Sequence, residues 1–235
     1  MKLKYKRIML KVSGEVLAGD SGEGVDFKSV LGLAERIKEL NKAGCEVALV
    51  VGGGNLWRYR DNAKHAIERQ DSDIIGMLAT VMNGIVIYNA LEKVGMSPRV
   101  MSGLAQDVVE KFDPKFAKGH LRKGRVVICA GGTGQPFFTT DTAAALRALQ
   151  LNCDVYLKAT KVDGVYDKDP IKYKHAKKFD HLTFGEALEK DLKVMDLTAI
   201  SLCKDNNLPV IVLDYWKKGN LMSAITGKKI GTLIN

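Results

Sequence analysis

The chain is poor in the features that define several large protein classes. Its apolar runs are short; Cys45 to Val51 is typical and falls far below the about 20 residues that cross a bilayer. The N-terminus passes from Met1 through alternating lysines into a strand, with no apolar leader pattern, so neither a membrane span nor a secretory signal is expected. The four cysteines, Cys45, Cys129, Cys153 and Cys203, form no C-x-x-C pair, and three of them sit in apolar strand-like runs. They read as reduced core residues of a cytosolic protein. His65, His120, His175 and His181 show no metal-ligand spacing with each other or with cysteine, which argues against a structural zinc site. Aromatic residues are only 7% of the chain and do not interleave with the basic ones. Internal repeats, low-complexity tracts and linkers of obvious composition are absent.

What is present is an ordinary globular mix, 46% apolar and 27% charged, over 235 residues. A chain of that length buries roughly 70–75% of its unfolded surface and needs neither disulfide nor metal to fold. Lys and Arg number 36 against 27 Asp and Glu, a net charge of +9. That balance points to a polyanion, but the positive residues are dispersed, which favours a phosphate-ester pocket over nucleic acid as the main partner.

Strand-length apolar runs alternate with segments of helical period. Arg7 to Val12, Cys45 to Val51, Arg99 to Met101, Arg125 to Ala130, Asp154 to Lys158, Pro209 to Leu213 and Gly231 to Ile234 read as strands. Between them come a helix capped by Asp26 and ending at Gly44, and a long one starting near Asp71 or Asp73 and ending at Gly95. A weak helical stretch reaches about Lys123. Thr139 or Thr140 caps a helix from Thr142 to Gln150, and helical segments follow at Phe184 to Leu192 and Leu197 to Asn206. Thr160 to Lys178 reads as polar turns. This order predicts an α/β fold, a three-layer αβα sandwich around a mostly parallel sheet. It is expected as one domain over residues 1–235, with lobes dividing near residue 150.

Three strands end in glycine, at Gly14, at Gly52 to Gly54 and at Gly131 to Gly134. Their carboxyl ends share one edge in an open α/β sheet, where ligands bind, and glycine lets backbone N–H groups approach phosphate. Neither G-x-x-x-x-G-K-[ST] nor a strand-to-helix G-x-G-x-x-G is present, so separate loops must hold the phosphates. Lys11, inside an apolar strand, is the candidate phosphate lysine, with an edge position snorkelling to solvent as its bland alternative. Arg58 is a candidate bidentate clamp or a surface residue beside Trp57. Asp73 either accepts from sugar hydroxyls or caps its helix. Asp141 either caps a helix or faces the reacting phosphates. Phe137 and Phe138, between Gly134 and the hydroxyls of Thr139 and Thr140, offer a stacking surface beside hydrogen-bonding groups.

Lys11 to Glu15, Gly52 to Arg58, Gly76 to Gly84 (GMLATVMNG), Gly134 to Asp141 (GQPFFTTD), Lys158 to Tyr166 (KATKVDGVY), Leu192 to Asp196 and Gly231 to Ile234 together carry a resemblance. Over nearly the whole chain the sequence resembles the bacterial UMP kinases (uridylate kinases) of the amino acid kinase superfamily. The first two segments are general to the superfamily, whereas GMLATVMNG and PFFTTD are specific to the UMP kinases.

The resemblance implies ATP-dependent, Mg²⁺-assisted phosphorylation of UMP to UDP in pyrimidine nucleotide biosynthesis. It also implies a cytoplasmic homohexamer responding to GTP or UTP. By motif, Lys11, Val12, Ser13, Gly14, Gly54, Arg58, Thr160, Tyr166 and Asp169 would surround ATP. Gly53, Asp73, Thr133, Gly134, Gln135, Pro136, Phe137, Phe138, Thr139 and Thr140 would hold UMP, in a lobe of about residues 1–150, with ATP in the lobe of residues 151–235. Lys11, Asp141 and Arg58 would serve catalysis, with Mg²⁺ carried by the ATP phosphates and no protein metal site. Gln135 stands where the family usually has Asn, Tyr166 where Phe is also common, and Glu23 where an aromatic can occur in a loop linked to GTP. Two alternatives stay open: a phosphotransferase acting on a carboxylate, and a non-catalytic regulator that binds nucleotides or nucleic acid.

Overall fold

The computed structural model describes residues 2–58, 67–192 and 194–235; His65 and Lys193 therefore lie outside the described residues. Nine strands form one sheet in the order β4-β3-β5-β2-β1-β6-β10-β11-β9. In chain order they are β1 (Arg7–Val12), β2 (Glu46–Val51), β3 (Pro98–Ser102), β4 (Glu110–Lys111), β5 (Val126–Ala130), β6 (Val155–Thr160), β9 (His181–Leu182), β10 (Val210–Asp214) and β11 (Thr232–Ile234). Pairing is parallel from β4 through to β10, and β11 joins β10 antiparallel. A separate antiparallel hairpin pairs β7 (Val165–Tyr166) with β8 (Lys178–Phe179).

Period-2 alternation sends the strands' side chains to two different cores. Ile8, Leu10 and Val12 of β1, with Val47, Leu49 and Val51 of β2, bury against α2 (Phe27–Lys42), α3 (Arg69–Lys93) and α8 (Asn220–Ile225). On the opposite face, Met9, Ala48, Val50 and Tyr156 meet α4 (Pro114–Arg122), α5 (Thr140–Leu151), α6 (Phe184–Glu189) and α7 (Leu197–Asp205). The two cores make the three layers that the sequence predicts.

Several local expectations need correction. Asp73 does not cap α3: the helix starts four residues earlier, with Glu68 at its N-cap. The stretch before Lys123 is not one weak helix, because Asp113 and Pro114 start α4 abruptly after the short strand β4. The Thr160 to Lys178 segment holds β7 and the start of β8. Two short helices went unread, α1 (Glu15–Ala18) and α8. Helix α3 also has the length and mean hydropathy, 1.8, of a membrane span. Half of that stretch is buried in the protein, as in a core helix. All four cysteines are free, and burial pushes the thiols of Cys45, Cys129 and Cys203 up to about 12.

Candidate active site

Parallel pairing sets Lys11 of β1 directly opposite Lys158 of β6. The same alternation that buries Met9 and Tyr156 points both lysines to the α5 face. Two ammonium groups side by side in a mostly buried place need an anion between them. Asp141, in the first turn of α5, supplies it: Oδ1 is 3.0 Å from Lys11 Nζ and Oδ2 is 2.5 Å from Lys158 Nζ. The helix can lie this close because the face it packs into the core carries the small side chains of Ala144, Ala145 and Ala148. Tyr156 Oη donates a third bond, 2.9 Å, to Asp141 Oδ1. Burial alone would raise the Asp141 pKa, but Lys11 and Lys158 outweigh it and hold the carboxylate at about 2. Burial lowers the Lys158 pKa, with Asp141 opposing it.

Glycine turns lie at the carboxyl ends of β1 and β2, as expected. A Cβ on Gly14 would sit 2.7 Å from Gly52 O, and one on Gly53 would sit 2.7 Å from Gly76 O, so these backbones approach too closely for any side chain. Buried beneath them, Asn83 of α3 donates to Gly52 O (2.8 Å) and to Asn55 Oδ1 (2.8 Å), and Asn55 donates to Gly24 O (2.7 Å). Asn83→Ala leaves those buried acceptors without a donor and is expected to lower stability by about 1–3 kcal/mol in urea unfolding. Arg58 follows the turn, donating to Gly54 O (2.6 Å) and Glu15 Oε1 (2.7 Å). Glu15 also meets Lys161 at 2.8 Å, and chiefly through Lys161 its carboxyl is held below the usual range.

Two clefts lie beside the Lys11–Asp141–Lys158 cluster, the first reaching it at Thr140, next to Asp141, and the second at Lys158; a further pocket of about 390 Å³ is lined by Asp141, Lys158 and Asp196 among others. The first, about 290 Å³, is lined by Gly53, Gly54, Asp73, Thr133, Gln135, Phe138, Thr139 and Thr140 among others. Asp73 accepts from Arg69 Nε at 2.9 Å and from the Phe137 N–H at 2.8 Å, so it ties α3 to the opposing loop. That bond helps to hold Phe137 in a left-handed conformation, φ 70°, which is unfavourable for an aromatic residue. Phe137 is 63% exposed, and neither it, Gly134 nor Pro136 lines the cleft. Arg147, buried beneath the loop, supports it by donating to Gly132 O at 3.1 Å.

The second cleft, about 580 Å³, is lined by Lys158, Thr160, Tyr166 and Asp169 together with Gly164, Leu192 and Val194. Lys158 therefore faces this cleft while its ammonium holds Asp141. Of the residues assigned to ATP by motif, Thr160, Tyr166 and Asp169 lie here, whereas Gly54 lines the first cleft. Val12 ends β1 and Ser13 and Gly14 follow it; these three, with Lys11 and Arg58, are not among the residues lining either cleft.

The sequence reading of individual residues missed three functional candidates. Lys158 was open to the argument used for Lys11, a lysine inside an apolar strand. Tyr156 shares its face two residues earlier. Asp196 caps α7 through the Ala199 N–H (3.0 Å) and also accepts from the Thr139 and Thr142 hydroxyls, the latter at 2.7 Å. Thr139, rather than Thr140, is the N-cap of α5.

The amino acid kinase family profile matches residues 6–214. Among solved structures, UMP kinase from Bacillus anthracis superposes with a TM-score of 0.95 at 36% identity, covering 98% of this chain and 96% of that one. UMP kinase from Ureaplasma parvum gives 0.92 at 35% identity, covering 100% of both chains. Uridylate kinase from Archaeoglobus fulgidus gives 0.74 at 28% identity, covering 97% and 99%. With sequence, fold and motif-bearing loops in agreement, the chain belongs to the amino acid kinase family, and within it to the UMP kinases.

Proposed function

We propose that the protein transfers the γ-phosphoryl group of ATP to UMP, giving ADP and UDP. The observation that carries this reading is the Lys11–Asp141–Lys158 cluster set between two clefts, in a chain 36% identical to a UMP kinase. In the proposal UMP occupies the first cleft, with Asp73 on the ribose. Thr133, Gln135, Phe138, Thr139 and Thr140, with Gly53, lie around its base and phosphate, and Gly134, Pro136 and Phe137 shape the loop that carries them. ATP occupies the second, against Thr160, Tyr166 and Asp169, with its phosphates toward Lys11 to Gly14, Gly54 and Arg58.

The acceptor is a phosphate oxygen whose second pKa is near 6, so it is already ionised at neutral pH and needs no general base. Asp141, held at about 2, is too weak a base to take a proton; its part is to hold two ammoniums in place. Those charges offset the repulsion between two polyanions and stabilise the transferring group. Mg²⁺ bound to ATP neutralises further phosphate charge. The Asp141 oxygens are already occupied by Lys11, Lys158 and Tyr156, which supports carriage of the ion by phosphates and water rather than by this carboxylate. The resemblance to UMP kinases is also the support for a cytoplasmic homohexamer, for nucleotide effectors and for a role in pyrimidine nucleotide biosynthesis.

An ADP-release assay offering UMP, CMP and acetylglutamate tests the reading. UMP is expected to be the preferred acceptor; turnover with acetylglutamate alone would overturn it. Asp73→Ala removes both a ribose partner and the tie to Phe137, and is expected to raise the KM for UMP by the equivalent of about 1–3 kcal/mol. An unchanged KM would mean that Asp73 only braces the loop. If the acceptor ionises as proposed, the acid limb of kcat/KM lies near 6 and belongs to UMP. It shifts when an acceptor with a lower phosphate pKa replaces UMP.

A further inference from the structure

Another cavity, about 570 Å³, has a cationic rim and no part in the reaction described above. It lies across the sheet edge from the second cleft: Ile211 and Leu233 line it, whereas Val212, next along β10, lines that cleft. Buried Tyr5 and Ala224 complete the floor with them, and Lys4 Nζ stands over the Tyr5 ring, 5.1 Å from its centroid. Around it stand the exposed ammoniums of Lys4, Lys178, Lys228 and Lys229, with Asp180 as the carboxylate among the lining residues. The walls are fixed by the backbone. The N–H groups of Lys4 and Tyr5 both donate to Ile225 O, at 2.9 and 3.2 Å, which pins the N-terminal segment to the end of α8. Gly231, at φ 66°, lies so close to Val212 O that no side chain fits there.

One of the four lysines connects this cavity to the second cleft. Lys178 Nζ lies 3.4 Å from Asp163 Oδ2, and Asp163 Oδ1 accepts from Tyr166 Oη at 2.5 Å. Tyr166 pairs with Lys178 across the β7–β8 hairpin and lines the second cleft.

We propose that this cavity binds a diphosphate ester, its phosphates among Lys178, Lys228, Lys229 and Lys4 and its planar or apolar group on the Tyr5, Ile211 and Leu233 floor. The ligand competes with Asp163 for Lys178. Four ammoniums against two carboxylates, Asp180 in the lining and Asp163 on Lys178, leave an excess of positive charge that suits a multivalent anion, and an apolar floor gives a reason for the anion to carry an organic group. Reach to the nucleotide through Tyr166 rests on the ATP reading of the second cleft; binding itself does not.

Residue-resolved lysine labelling, read by mass spectrometry on the full chain, tests the site with inorganic pyrophosphate and with ADP. Pyrophosphate is expected to protect Lys178, Lys228 and Lys229 with one shared half-point and to leave Lys115 and Lys118 unprotected. ADP is expected to reach that half-point at lower concentration. K228E/K229E should abolish protection at Lys178 with the UMP phosphorylation rate unchanged, and D163N should lower the half-point several-fold. Uniform protection of all lysines, persistence in K228E/K229E, or no gain from ADP overturns the diphosphate-ester site. No response to D163N overturns the competition for Lys178. Failure of the UMP reading would appear in the ADP-release assay and leave the labelling pattern as it is.

Discussion

Asp141→Asn is expected to lower kcat by roughly 10²–10³-fold while the KM for UMP changes little. It is also expected to reduce stability by about 3–5 kcal/mol in urea unfolding. Both effects have one cause. The substitution keeps the shape of the side chain but removes the negative charge between Lys11 and Lys158, leaving two mostly buried ammoniums side by side. Lys158→Met added to Asp141→Asn removes that repulsion, so it should recover part of the stability and none of the turnover. Full turnover in Asp141→Asn with a large stability loss would make the cluster purely structural. The pH dependence has a definite sign. The Asp141 pKa falls from 3.8 in the unfolded chain to about 2 when folded, so its stabilising contribution is complete above about pH 4. That contribution is lost as the pH drops from there toward 2.

Lys11→Ala is expected to lower kcat by roughly 10²–10³-fold, far beyond its effect on the KM for UMP. Lys11 stands at the end of β1 next to the Gly14 turn, where the transferred group would pass, and its loss leaves Lys158 alone to offset the phosphate charge. With one of its two cations gone, Asp141 should lose part of its pKa depression, so acid unfolding of the variant should begin at higher pH than in the parent. Steady-state kinetics and an acid titration of the circular dichroism signal check the two halves separately. Near-normal kcat would remove Lys11 from the catalytic machinery.

The strands and the glycine edge were legible because both follow from local pattern. Continuous apolar runs mark strands buried on both faces, and Gly14 and Gly52 to Gly54 stand where they end. Asp26 capping α2 was legible for the same reason, since it accepts from the N–H of Ser29 three residues on, at 2.9 Å. The pairing of Lys11 with Lys158 was not, because it depends on which strands are neighbours, and 146 residues of chain lie between the two. Asp73 shows the opposite limit. An acid near a helix start looks like a cap, but its actual partner, the Phe137 N–H, is 64 residues away. Helix α8 was lost in a segment too short, at 6 residues, to display a period.

The carboxylate of Asp196 fastens two helix starts together: it caps α7, and it holds Thr139 and Thr142 at the start of α5. Thr139 lines the first cleft, and Val194, two residues before Asp196, lines the second and accepts from Lys158. Asp196 is thus a rivet through a shared wall. A displacement of the chain at Val194 would load the Asp196 bonds to Thr139 and Thr142, so the walls of the two clefts share one fastening point rather than standing on independent supports.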